Sequence, residues 1–470
     1  MQKKPIHTYV LIFLIIIVMA VLTYIVPSGE FQRKDVKLNN GSTKTLVVAN
    51  SYKHVEANHQ GLKEVLMAPI KGTEDAASVV AFLLIIGGSF GIISKSGSIE
   101  AGLSKSVRTL EGKELLFIPI IMLLFGIGGT TFGMCEETIP FYMVFIPLML
   151  SLGYDSLTGV MMIFFGAATG TAASTTNPFE VGIAQAISQI APGTNVGYRW
   201  IQFFILMTLS ISFVMWYAHR VKKNPEKSSV YDLDKVNKEY FLKNMGDADK
   251  REFKWHHAVI LLGFAFGICL MIWGVKKKGW YIEEISMIFF GIGLFAGIIS
   301  MIARTMSSRD VAEAFVQGCK DLTYAAVIVG LARGILIIAR DGKIIDTILN
   351  AASNLLSQLP KGIFTTIMLL VQNLIAFLIP SSSGHAALTM PVMAPLADLM
   401  HVNRDVAVTA YQYGTGLTNM ITPTSGTLMA ALGIAKIPWN RWVKFVIPLV
   451  LVFWVCAAIF LIIGLGMFPA

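Results

Sequence analysis

Hydrophobic and polar positions fall along this chain in long blocks, without the short period of a surface helix or strand. Many apolar blocks run to about 20 residues, enough to carry a helix across the hydrocarbon core of a bilayer. They predict full crossings at 7–26, 78–94, 157–190, 200–219, 257–275, 285–303, 323–338, 406–432 and 443–465. The spans 157–190 and 406–432 are each interrupted by a polar run. Two further apolar pairs, 115–152 and 363–400, have arms short for independent spans and a polar tip between them, which predicts re-entrant hairpins. The first block resembles a signal peptide, but its apolar core is too long and no small-x-small cleavage site follows, so it reads as a retained helix.

Two polar stretches divide the blocks. The segment 27–76 is mixed in charge, carries the turn signal Asn39-Asn40-Gly41-Ser42 and reads as an external loop. The segment 220–254 opens with RVKKNPEK and reads as a cytoplasmic linker between an N-terminal membrane half, 1–219, and a C-terminal half, 255–470. With the N-terminus and linker inside, Lys3, Lys4, Lys105, Arg108, Lys113, Arg220, Lys222, Lys223, Arg304, Arg309, Lys436, Arg441 and Lys444 fall on the cytoplasmic side. Lys276, Lys277 and Lys278 are the exception to the scheme, which also puts the C-terminus outside.

Composition agrees with the blocks: 54% of the 470 residues are hydrophobic and 14% charged. The formal charge of +9 lies mostly in short loops, a topological signature, and no basic and aromatic face for nucleic acid accompanies it. Cys135, Cys269, Cys319 and Cys456 stand singly, giving no zinc spacing and no disulfide framework. His54 and His59 flank Glu56 without the HExxH spacing, so no metal site and no cofactor is expected. No nucleophile-base-orienter set is present either, and no catalytic residue is assigned.

The halves echo each other. Pro147 aligns with Pro395 and Gly166 with Gly414, and Asp155 falls near Asp405. The interruption AASTTNP at 172–178 faces TNMITPTSG at 418–426, and FGMCEET at 132–138 faces PSSSGHA at 380–386. The second half has one more crossing before its repeat, so the repeats run in opposite senses through the membrane. Paired helix breaks in inverted repeats are the sequence pointer to a secondary transporter with a site near mid-bilayer. The predicted fold is an all-α polytopic membrane protein of two inverted-topology repeats, each with a re-entrant hairpin and a discontinuous helix.

The breaks supply the chemistry. Where a membrane helix unwinds, amides and carbonyls at the cut ends face the cavity with partial charges of opposite sign. Thr176, Asn177, Ser381, Ser382, Ser383, His385, Asn419, Thr422 and Thr424 are candidate substrate ligands with Glu136 and Glu137, while Ser174, Thr175, Thr418 and Ser425 are candidates for a coupling ion. Singly, such hydroxyls often bond only to the preceding turn or a neighbouring helix. Pro178 and Pro423 suit the restart of each helix. Buried carboxylates mark ion or substrate pathways, and Glu180 follows the first break as a third acid. Arg333 is the opposing intramembrane base; it either neutralises a glutamate in the empty site or holds helix packing. His385 is either a proton switch or a helix cap. Acids outnumber bases, which suits a cationic amino acid better than a dianion.

The stretches FGMCEETIPFYMVFIPL, ASTTNPFEVGIAQA, SSSGHAALTMPVMAPLADL and ITPTSGTLMAALGIAKIPW resemble the YfcC family of arginine/ornithine-antiporter-like proteins, grouped with the anaerobic dicarboxylate carriers in the ion transporter superfamily. The resemblance covers nearly the whole membrane part. It implies a dimeric carrier of the bacterial cytoplasmic membrane, with a scaffold and a mobile part whose hairpins and broken helices form the site. Two positions depart from it, His385 where glutamine is usual and Thr415 where an acid is common. The expected function is exchange of basic amino acids such as arginine and ornithine by alternating access. The alternatives are a sodium- or proton-coupled dicarboxylate carrier and a non-transporting receptor. The expected partners are an amino-acid substrate, a coupling ion, the lipid bilayer and a second copy of the chain, not nucleic acid.

Overall fold

The computed structural model describes residues 8–37, 43–99, 101–102, 114–242 and 253–469. The predicted turn at Asn39-Asn40-Gly41-Ser42 and the basic residues Lys3, Lys4, Lys105, Arg108 and Lys113 lie outside them. Helix α1, Thr8–Ile25, leads into two small antiparallel pairs: β1, Gly29–Glu30, with β4, Lys53–His54, and β2, Arg33–Lys37, with β3, Thr43–Val47. The stretch read as an external loop becomes helical before its end, as α2, Leu62–Asp75, which passes at Ala76 into α3, Ala77–Lys95. The acids and lysines of α2 hid it from a hydropathy reading. Polar residues on a helix that borders a cavity need not face lipid.

The first repeat follows: α4, Glu114–Phe132, and α5, Ile139–Ser151, form a hairpin; α6, Ser156–Ala172, and α7, Val181–Ile187, form a broken helix; and α8, Val196–Lys223, closes it. The linker contains α9, Tyr231–Leu242. Then come α10, Trp255–Lys278, α11, Ile282–Ile302, α12, Ser308–Asp341, and the short α13, Ile345–Leu356. The second repeat is α14, Lys361–Leu378, and α15, Ser382–Leu399, as hairpin, α16, Arg404–Asn419, and α17, Gly426–Ala435, as broken helix, and α18, Trp439–Met467.

The same packing occurs twice. Each first hairpin arm lies on the first piece of its own broken helix, α4 on α6 and α14 on α16, and each second arm packs on the second piece of the other repeat's, α5 on α17 and α15 on α7. The aligned glycines explain the close approach. A Cβ on Gly166 would stand 2.9 Å from the Met122 carbonyl, and one on Gly414 would stand 2.3 Å from Gln372 Cβ. The two aspartates sit near the two helix starts but not in register: Asp155 caps α6, accepting from Thr158 N at 2.8 Å, whereas Asn403 caps α16, accepting from Asp405 N at 2.8 Å, and Asp405 lies in the first turn. The hairpins enter from opposite ends. The linker docks at the base of the first, where Asp234 accepts from Ser156 N at 2.9 Å. The base of the second meets β3, and there Arg404 donates to the Ser188 carbonyl at 2.7 Å.

The remaining helices form a scaffold in which α12 runs antiparallel to α2 and α3. A Cβ on Gly318 would stand 2.0 Å from the Gly87 carbonyl, and one on Gly72 would stand 2.5 Å from the Gly330 carbonyl, so glycine alone permits this separation. Eight described helices are long and apolar enough to cross a membrane, α4 among them, so the first arm of the first hairpin is not short for a span as the sequence led one to expect. Leu262, Phe266, Phe290 and Leu294 on α10 and α11 are exposed, as a lipid-facing belt requires.

Candidate functional site

The hairpin tips and helix breaks meet the scaffold around a cavity of about 580 Å³. At the first tip, Gly133 turns the chain with φ +76, and a Cβ there would stand 2.6 Å from Asn177 Oδ1. A non-glycine residue would be strained by its backbone and would push the first break away. One 3₁₀ turn follows, Glu136–Thr138. Within it Cys135 N donates to Glu137 Oε2 at 2.8 Å, folding Glu137 back over its own tip, while Glu136 also lines the cavity.

Each break is tied to its own hairpin in the same way. Thr176 Oγ1 donates to the Thr131 carbonyl at 3.2 Å, and Thr424 Oγ1 to the Phe377 carbonyl at 2.9 Å. Thr175 N reaches the Thr130 carbonyl at 2.9 Å, and Thr130 Oγ1 donates to the Ala173 carbonyl at 2.7 Å, so the unwound backbone is largely satisfied. Asn177 accepts from Phe179 N at 2.9 Å and donates to Glu180 Oε2 at 3.1 Å. In the second break Asn419 Nδ2 donates to the Pro380 carbonyl at 3.2 Å, while its Oδ1 is buried with no partner. An unpaired buried acceptor costs about 1–3 kcal/mol, so a ligand donor there would be favoured.

Of the predicted ligands, Glu136, Glu137, Asn177, Ser381, Ser382, Ser383, Asn419, Thr424 and Ser425 line the cavity. The others do not. Thr175 is spent on Thr130, Thr418 on Asn373, Thr422 on Thr424, and Ser174 on the Thr171 carbonyl and Glu180. Thr176 is exposed, away from the cavity lining. His385 is buried in α15, with Nδ1 2.7 Å from Thr415 Oγ1. Nor does either proline begin a helix: α7 starts at Val181 and α17 at Gly426, because Glu180 and Ser425 occupy the cap positions.

Of the other lining groups, Glu180 was expected as a third acid but not as a ligand, and Asp75 and Tyr281 were not expected at all. Glu180 accepts from Ser174 Oγ at 2.7 Å and from Ser382 Oγ at 2.8 Å, joining the first break to the second tip. Its place just after STTNP was the available signal. Asp75 and Tyr281 come from the scaffold. Asp75 resolves the question of Arg333, whose Nε donates to Asp75 Oδ2 at 2.5 Å, with Arg340 on the other oxygen at 3.2 Å. Arg333 therefore pairs with a scaffold acid, not with a glutamate of the tips. No sequence signal links positions so far apart. Four carboxylates, Asp75, Glu136, Glu137 and Glu180, and a single guanidinium, Arg333, line the cavity among the described residues. Those residues contain no group of three or more His, Cys, Asp or Glu side chains arranged to hold a metal ion.

The chain is 36% identical over 467 residues to the Escherichia coli (strain K12) protein named "Putative basic amino acid antiporter YfcC", covering 93% of this chain and 92% of that one. It is 31% identical over 497 residues to an uncharacterized protein of Haemophilus influenzae, covering 98% and 97%. Among solved structures it superposes on Neisseria gonorrhoeae MtrF, from a class of antimetabolite efflux pumps, with a TM-score of 0.42 at 18% identity over 100% of this chain and 96% of that one. The Alcanivorax borkumensis YdaH transporter gives 0.41 at 15% identity over 98% and 99%. The family model described as C4-dicarboxylate anaerobic carrier, DcuC, matches residues 6–466, and with these relatives it places the chain in the DcuC family, as a multi-pass carrier of the bacterial inner membrane and not an enzyme.

Proposed function

We propose that this carrier exchanges cationic amino acids, arginine against ornithine or a similar basic pair, by alternating access. The observation that carries the reading is the charge of the cavity. Four carboxylates line it against one guanidinium, and that guanidinium is already paired with Asp75. A dicarboxylate would enter a chamber of its own sign, and like charges brought together out of bulk water repel by several kcal/mol. A basic amino acid brings the missing positive charge. The Ser383 hydroxyl and the unpartnered Oδ1 of Asn419 are available for its α-carboxyl and α-amino groups. The name of the Escherichia coli relative agrees with this reading.

The two mobile hairpins and broken helices would move as a body against α2, α3, α11 and α12, carrying the cavity from one side of the membrane to the other. Uptake of labelled arginine and of succinate into proteoliposomes, with and without internal ornithine, tests the proposal. Arginine uptake stimulated by internal ornithine is expected. Succinate uptake with no arginine uptake rejects it.

A further inference from the structure

We infer that Glu180 is the coupling group of this carrier: it holds a proton while the site is empty and releases it when the cationic group of the substrate binds, one for one. The inference rests on the cationic-substrate reading above and adds the coupling ion and the place where it binds.

Glu180 is the carboxylate of the cavity lining that bonds to both repeats. Ser174 Oγ, at 2.7 Å, and Asn177 Nδ2, at 3.1 Å, hold Oε2 within the first break, while Ser382 Oγ, at 2.8 Å, reaches Oε1 from the second hairpin tip. Glu137 bonds only within its own tip, and Asp75 is held by two arginines. Glu180 is 7% exposed, and among the described residues no cationic group lies within ion-pair range of it. Cys135, Glu136 and Glu137 face it from the first tip, with Asp75, Arg333 and Tyr281 on the scaffold. From α15 and α16 come His385, committed to Thr415, and Tyr411, whose hydroxyl donates to the Ser382 carbonyl at 2.7 Å.

An ionised Glu180 in the empty cavity is therefore a buried charge without a counter-charge, which costs several kcal/mol. A proton removes that charge, and so does an ammonium or guanidinium drawn against the same oxygens. The two fillings compete for one carboxylate. As the substrate N–H donates to Glu180, the O–H bond breaks and its proton leaves through the cavity to solvent; charge is conserved, and no other reactant is needed. The link to Ser382 survives every protonation state, because a hydroxyl donates to the carboxylate and can accept from the acid, so the second tip stays closed in either filled state. What the empty, ionised state lacks is a counter-charge, and its passage across the membrane is disfavoured.

The test uses the purified full chain in weakly buffered detergent. Arginine is added while calorimetry records binding and an indicator dye records proton release. On the acid limb of binding near one proton per arginine is expected, retained in Glu136→Gln and Glu137→Gln wherever they bind, and absent in Glu180→Gln. On its acid limb the wild-type affinity should fall about tenfold per pH unit, as competition by one proton requires. Binding on the acid limb without proton release, or release there that persists in Glu180→Gln, overturns the inference and leaves the substrate reading intact. Binding of succinate but of no basic amino acid overturns both. If Glu180→Gln does not fold, Ser382→Ala decides: losing a donor to the carboxylate must move the acid limb to higher pH, and an unmoved limb sinks the inference.

Discussion

The most informative perturbation of the fold lies at the end of the molecule away from the linker, where Arg199 of α8 meets Asp405 of α16. Both side chains are nearly sealed, at 1% and 3% exposure, and Nη2 donates to Oδ1 at 2.8 Å. Breaking a buried pair by removing one partner costs about 3–5 kcal/mol, because the survivor is left as an uncompensated charge. The local bonds select the lower end of that range. In Asp405→Leu, Arg199 keeps Gln412 and Thr409; in Arg199→Met, Asp405 keeps Gln185 at 3.2 Å and Asn195 at 3.0 Å. Each single variant should lose about 3 kcal/mol, a shift of roughly 100-fold in the folding equilibrium.

The double variant removes both charges and leaves Gln412 Oε1 buried without its donor, which costs about 1–2 kcal/mol, while Gln185 keeps the Thr194 carbonyl and half-buried Asn195 can turn to water. It should therefore be more stable than either single variant, far from the sum of the two. Equilibrium unfolding in mixed micelles, followed by far-UV circular dichroism, gives the three values. Additive losses, or singles that lose less than about 1 kcal/mol, would refute the argument that this pair is a desolvated unit. The outcome reaches the site, because Gln412 Nε2 also donates at 3.0 Å to the carbonyl of Ala172, the last residue of α6 before the first break.

Three further outcomes are expected. Gly318→Ala puts a Cβ against the carbonyl of Gly87, where backbone faces backbone and neither can yield, so the yield of monodisperse protein should fall sharply by size exclusion while Gly291→Ala, in open space, leaves it unchanged. Burial pushes the Asp234 carboxyl up to about 6, aided by the charge of Asp155 and opposed by two donors from Ser156. A raised acid binds its proton more tightly in the folded state, so its contribution to stability is full below the unfolded value of about 4 and is lost as pH rises toward 6. Asp234→Asn should flatten that part of the melting profile, and an unchanged slope would count against it. Asn177→Ala removes a donor to Glu180 and the cap of Phe179 N without touching the scaffold, so arginine flux should fall at least tenfold with the melting temperature shifted by only a few degrees; retained flux in proteoliposomes would remove Asn177 from the site.

The sequence by itself determined the membrane class, the crossings, the two hairpins and the two breaks. These follow from local rules: helix-length apolar runs must span, and glycine, proline and clustered hydroxyls interrupt them. It also determined the echo between halves, since Gly166 and Gly414 or Pro147 and Pro395 hold matching positions. The helicity of α2 was not legible, because its apolar residues are interspersed with Lys63, Glu64, Lys71, Glu74 and Asp75, while what holds the helix is packing of Val65, Ala68 and Gly72 against α12, with the cavity reached only at Asp75. What only the tertiary structure decided is which polar groups remain free. Thr175, Thr418 and Thr422 look the same as Ser382 and Ser383 in the sequence, yet the first three are consumed by bonds away from the cavity, while Ser382 lines it bonded to Glu180 and Ser383 lines it beside them. Asp75 and Arg333, or Glu180 and Ser382, become partners across two hundred residues or more. A side chain's partner depends on how the two halves interlock, and that is a property of the packed molecule which no local window of sequence contains.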